Sequence, residues 1–108
     1  MFGEGECPKT ISKSGEGIKH DSDKLRMDLL PPEAIFAIAE VLTYGANKYK
    51  ERNWEKGIDR NRIIAAALRH IFKYMLGESQ DSESGISHLK HALTNLVFLV
   101  TYEVRGMQ

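Results

Sequence analysis

The chain has 108 residues, room for one domain. Its 15 basic and 15 acidic side chains cancel, which excludes a net field drawing it to a nucleic-acid polymer or a membrane surface. No apolar run approaches the ~20 residues of a membrane span, the N-terminus lacks a signal-peptide core, and the single cysteine, Cys7, admits no internal disulfide, so a soluble cytoplasmic protein is expected.

Residues 1–23 are rich in Gly, Ser, Lys and Glu and read as a flexible N-terminal arm with too little apolar surface to bury. A single helical domain is expected over 24–108. Pro31 and Pro32 suit a helix start, and Ile35, Ile38, Ala39, Leu42 and Ala46 recur at helical spacing, predicting a first helix from Pro32 to Tyr44 or Lys48. Tyr49–Gly57 is a polar connection with Trp54 in its middle. Asp59 is a natural N-cap for a second helix ending at Leu76, with Gly77 as its stop and Ile64, Ala67, Leu68, Ile71 and Met75 as its buried stripe. After the acidic link Glu78–Ser84, a third helix is expected from between Ser82 and Ser87 to about Val104. Its Leu89, Leu93, Leu96, Val97, Leu99 and Val100 cover more than one face, which calls for burial on several sides and hence for another subunit. No long strand-like alternation appears, so the fold class is all-α: a compact bundle of about three main helices, completed by oligomerisation.

Three polar clusters stand out. Glu33 and Glu40 lie seven residues apart on one stripe of the first helix, which Tyr44 continues; alone, they read as solvated glutamates. Glu78, Asp81 and Glu83 crowd three carboxylates into the link, either a soluble acidic turn or oxygen ligands for a hard divalent ion. His88, His91 and Asn95 recur at steps of three and four on the most apolar helix, with His70 on the helix before it, and buried ring nitrogens need partners. Zincin, zinc-finger and phosphate-loop motifs are absent. Lys24, Arg26, Lys48, Lys56 and Arg69 suit phosphate oxygens. Trp54 or Tyr49 suits a stacked base, with a packing role for Trp54 equally open.

Taken together, Lys24-x-Arg26-x-Asp28-Leu-x-Pro31, Tyr44-Gly-Ala-x-Lys-Tyr49, Asn53-Trp54-x-x-Gly57, Leu68-Arg-His70, Gly77-Glu78-x-x-Asp81 and Glu83-Ser-Gly-x-x-His88-Leu-x-His91-Ala-x-x-Asn95-Leu resemble the phage and bacterial dATP/dGTP diphosphohydrolases, which belong with or resemble the all-α, MazG-like nucleotide pyrophosphohydrolases. The resemblance runs over residues 24–99. It implies hydrolysis of a purine deoxynucleoside triphosphate, dGTP or dATP, to the monophosphate and pyrophosphate. It also implies Mg²⁺ or Mn²⁺ held by carboxylates, and a homodimer or homotetramer in the cytoplasm, that of the host if the chain is phage-encoded. The Glu-Glu-x-x-Glu of the broader MazG pattern is absent from the first helix.

On this resemblance Glu33, Glu40, Glu78, Asp81 and His88 are the expected metal ligands. Glu40, His70, Glu78 and Asp81 are the expected catalytic groups, with a carboxylate or His70 taking the proton of the attacking water. Lys24, Arg26, Lys48, Asn53, Trp54, Arg69, His91 and Asn95 are expected to bind substrate. Two other readings compete: a non-catalytic helical oligomer acting as a phage adaptor or nucleotide sensor, and a Zn²⁺ or Mn²⁺ site built from His70, His88 and His91.

Overall fold

The computed structural model describes residues 10–11, 17–20 and 22–107 and divides into two units, residues 1–31 and 32–108. In the first, β1 (Thr10–Ile11) and β2 (Ile18–Lys19) form an antiparallel pair with Thr10 opposite Lys19 and Ile11 opposite Ile18. Strands of two residues are too short to leave the alternation by which a sequence reveals them. A 3-10 turn follows at Met27–Leu29, and Arg26 forks onto Asp28 with both contacts at 2.8 Å. Most of the arm expected over residues 1–23 lies outside the described residues.

The second unit is all-α, as expected: α1 (Pro32–Lys48), α2 (Arg60–Met75) and α3 (His88–Val104). The helix ends follow local chemistry. Asp59 caps α2 by accepting from the Arg62 amide at 3.3 Å, and Ser87 caps α3 by accepting from Leu89 and Lys90 at 3.1 and 3.3 Å. Gly77, at φ 100°, takes the left-handed turn that ends α2. The connection from α1 to α2 tightens into a 3-10 turn, Asn53–Lys56, between two residues with positive φ, Arg52 and Gly57.

Helix α3 is the shared partner: α2 packs along it most extensively and α1 less so. Among the described residues the buried apolar ones are few, namely Ile63, Ala67, Ile86, Ala92 and Tyr102, and the most deeply buried side chains are the polar His88 and Thr94. The expected buried stripes are partly displaced. On α2, Ala67 is buried as expected and Ile71 half-buried, but Ile64, Leu68 and Met75 are exposed and Ile63 faces inward instead. On α3, Leu89, Leu96 and Val100 are exposed and His88, Ala92, Thr94 and Tyr102 are buried. The cause is chemical: His70, His88, Ala92 and Thr94 take up part of the seam between α2 and α3, so several of the bulky aliphatic side chains turn outward. No helix among the described residues is long and apolar enough to cross a membrane.

Candidate active site

Between α1 and α2, with α3 as its floor, lies an open cleft of about 1180 Å³. The second half of α1, the connection around Asn53 and Trp54, one stripe of α2 and the loop before α3 all contribute to its wall. Of the residues singled out in the sequence, Lys48, Asn53, Trp54, Arg69, His70, Asp81, His91 and Asn95 line it. Glu33, Glu40, Glu78 and His88 do not, and Lys24 and Arg26 belong to the first unit. A smaller hollow of about 580 Å³ near Arg60, Val100 and Met107 contains none of the candidate site residues.

The chemistry gathers where the link folds between α2 and α3. Gln80 and Ser87 form an antiparallel bridge, Asp81 donates its amide to Ile86 O at 2.9 Å, and His88 donates its amide to Ser79 O at 2.9 Å. Oδ2 of Asp81 accepts from the Glu83 and Ser84 amides at 3.1 and 2.9 Å. This tight fold sets Asp81 beside two histidines: one donor atom each from His70, Asp81 and His88 lie within 4.8 Å of one another. Nδ1 of His70 is 2.8 Å from Nδ1 of His88, and Nε2 of His88 is 2.6 Å from Oε2 of Glu78. His91 stacks on His70 with centroids 4.7 Å apart, and its Nε2 is 2.7 Å from Oγ of Ser84.

Packing sets the protonation of this cluster. Burial, then the neighbouring His91 and His88, pushes His70 down to about 4, and burial also lowers His91, so both rings are neutral at pH 7 and can offer lone pairs. Burial pushes Asp81 upward, but the Ser84 amide and hydroxyl and the nearby His91 and His70 outweigh it and hold its carboxyl below the usual range.

Of the expected metal ligands Glu33, Glu40, Glu78, Asp81 and His88, Asp81 and His88 share the three-residue donor cluster with His70; the other three do not join it. Oε1 of Glu40 accepts from Lys90 Nζ at 2.8 Å, Glu78 is engaged with His88, and Glu33 is exposed near the start of α1. Nor does His91 share the cluster formed by His70 and His88; Asp81 takes that place. Trp54 is a packing anchor, its ring stacked on Phe98 at 5.0 Å with the Arg105 guanidinium 5.6 Å away. Tyr49 is the exposed aromatic ring at the cleft, with Lys48 Nζ 5.2 Å from its centroid. Lys48 also bonds Glu83 at 2.5 Å, which raises the lysine and lowers the glutamate. Asn95 donates its side-chain amide back to His91 O at 2.9 Å.

Sequence reasoning missed Arg62 and Lys73, which line the cleft with Arg69. Their spacing of seven and four on α2 was the available signal. Among the described residues the side chains of these three cations enter no ion pair. Ser84, the partner of His91, was missed because only the folded link brings the two together.

Residues 14–108 match the family model described as dATP/dGTP diphosphohydrolase, N-terminal. The chain belongs to this family. A relative named dATP/dGTP diphosphohydrolase, from Salmonella phage PMBT28, is 34% identical over 83 residues, which are 77% of this chain and 28% of that protein. The chain thus matches little more than a quarter of the length of that relative. No solved structure matches it.

Proposed function

We propose that this member of the dATP/dGTP diphosphohydrolase family hydrolyses purine deoxynucleoside triphosphates, dGTP or dATP, to the deoxynucleoside monophosphate and pyrophosphate with the help of a divalent metal ion. The observation that carries the reading is the α2 stripe Arg62, Arg69, Lys73, three cations that enter no ion pair among the described residues and face a cleft that also holds His70 and Asp81. In a chain of zero net charge, three such cations on one helical stripe suit a run of phosphates. Across the cleft, exposed Tyr49 offers a stacking face and Asn53 an amide for the purine edge. Water attacks the α-phosphorus and the bond to the bridging oxygen of the β-phosphate breaks, so pyrophosphate leaves.

A non-catalytic adaptor gives the histidine cluster and the cationic stripe no use, and a nucleotide sensor would use the stripe but not the cluster, so neither is preferred. Self-association belongs to the reading nonetheless: Leu68, Phe72, Met75, Leu89, Leu96 and Val100 are all exposed on α2 and α3, more large apolar surface than a lone bundle normally leaves wet. A homodimer or homotetramer is the proposed state.

Ion chromatography of products, after incubation with each common ribo- and deoxyribonucleoside triphosphate and Mg²⁺ or Mn²⁺, tests the function. Monophosphate and pyrophosphate from purine deoxynucleotides are expected. No turnover of any nucleotide with either ion would overturn it.

A further inference from the structure

The deepest polar group of the molecule is His88, wholly removed from solvent at the start of α3. A buried imidazole needs partners for both nitrogens, and those it has are unlike each other. Nε2 faces the Glu78 carboxylate at 2.6 Å. An ionised carboxylate only accepts, so the ring carries its proton there and Nδ1 is a bare lone pair. That lone pair accepts from the Nδ1–H of His70, 2.8 Å away, a proton that an ion bound between the two rings would replace. One donor atom each from His70, His88 and Asp81 lie within 4.8 Å of one another.

We propose that His70, Asp81 and His88 form a site for one first-row transition-metal ion such as Mn²⁺, Co²⁺ or Zn²⁺, that Glu78 positions the His88 ring from behind, and that Mg²⁺ is not the ion it selects. The inference rests on the proposed metal-dependent reaction only in giving the ion a use; the site itself stands on the donor geometry.

Four observations support it. The donor set is two imidazoles and one carboxylate, which suits borderline transition ions, whereas Mg²⁺ takes oxygen ligands and keeps much of its water. A metal-bound histidine usually gives its other ring N–H to a carboxylate or carbonyl, as His88 does to Glu78. Two nitrogens bound at about 2.0–2.2 Å to one ion sit roughly 3 Å apart, so the 2.8 Å pair has to open only slightly. Finally, His70 and Asp81 line the cleft and His88 lies behind them, so the open side of the site is the side where the triphosphate would lie. The Asp81 carboxylate is aimed by the Glu83 and Ser84 amides, a direction that does not depend on an ion being bound.

The test uses the full chain, stripped with chelator and then titrated with CoCl₂, ZnCl₂, MnCl₂ and MgCl₂ separately, without nucleotide. One Co²⁺ per chain is expected, with visible absorption bands that a tenfold excess of Mg²⁺ leaves in place, and with shifts of the His70 and His88 ring proton signals. Glu78→Gln should weaken Co²⁺ binding by about 10–100-fold. His70→Gln and Asp81→Asn should weaken it at least as much, with unchanged circular dichroism. The exposed His20 serves as control, and His20→Ala should bind normally. Because His88 is fully buried, replacing it risks the fold and decides nothing. Failure of the folded wild type to take up Co²⁺ or Zn²⁺, displacement of Co²⁺ by equimolar Mg²⁺, or variants that bind as tightly as wild type would each overturn the site. Metal uptake without turnover would sink the proposed function and leave the site standing; turnover supported by Mg²⁺ and indifferent to His70→Gln would do the reverse.

Discussion

The hydroxyl of Tyr102 ties the connection between α1 and α2 to α3. The side chain is 2% exposed on the last turns of α3. Its hydroxyl donates to Trp54 O and accepts from the Ile58 amide at 3.1 Å, tying the connection that carries Asn53 and Trp54 to the floor of the cleft. Tyr102→Phe keeps the ring, its packing against Trp54 at 6.3 Å and nearly all of its volume, and removes only these two hydrogen bonds. At about 1 kcal/mol net for each bond, somewhat more where a partner stays buried, the loss is about 2 kcal/mol. For a helical unit the size of residues 32–108, each kcal/mol is roughly 4–8 °C in Tm, so a fall of about 8–16 °C is expected. Thermal unfolding followed at 222 nm at pH 7 measures it directly. Indole fluorescence should also report a loosened Trp54 below the transition, since the stack on Phe98 is held in place by the same anchor. A Tm within about 3 °C of wild type would mean that side-chain packing alone holds the loop and that the two hydrogen bonds add nothing net, refuting the anchor role of Tyr102.

Two further outcomes follow from the charged groups. Arg69→Gln and Lys73→Gln remove cleft cations that hold no ion-pair partner among the described residues. Each should raise KM for a purine deoxynucleoside triphosphate by about 10–100-fold, the worth of a charge-assisted phosphate contact, while leaving Tm unchanged; an unaltered KM in both would move the phosphates elsewhere. Glu55 is held below its usual pKa by bonds to Arg52 and then Arg105. A carboxylate with a lowered native pKa adds stability above its unfolded value and loses it as the pH falls through the native one. The Tm advantage of wild type over Glu55→Gln should therefore be present at pH 7 and shrink below the ordinary carboxylate range; an advantage independent of pH would show that shape, not charge, matters at this position.

The ends of α2 were legible because each is written in one residue: Asp59 as cap and Gly77 as the left-handed stop; the start of α3 was only bracketed between Ser82 and Ser87, and the Ser87 cap fixes it. Which face of each helix is buried was legible only in part. On α2 the apolar spacing rightly places Ala67 inside but also favours Ile64, Leu68 and Met75, whereas the helix turns Ile63 inward, with His70 on the same seam. A pattern that scores histidine as polar points it to water, whereas in the folded chain its ring is paired with His88 and stacked on His91. Local periodicity cannot register that compensation, since the partners are 18 and 21 residues further along the chain.

The same limit governs the site. That carboxylates and histidines converge on the junction of α2 and α3 was readable from composition and spacing, and the structure places His70, Asp81 and His88 together there. The division of labour among the carboxylates was not readable, because Glu78 and Asp81 are chemically alike and three residues apart. Backbone hydrogen bonds separate them. The Gln80–Ser87 bridge and the bond from the His88 amide to Ser79 O turn the link so that Glu78 meets Nε2 of His88, while Asp81 is fixed by the amides of Glu83 and Ser84 and shares a donor cluster with His70 and His88. A carboxylate on the Nε2 side can orient a ligand but cannot itself reach an ion on the Nδ1 side. Exchanging the two roles would require re-forming the loop, so in the proposed site Asp81 is the ligand and Glu78 the group that orients the His88 ring.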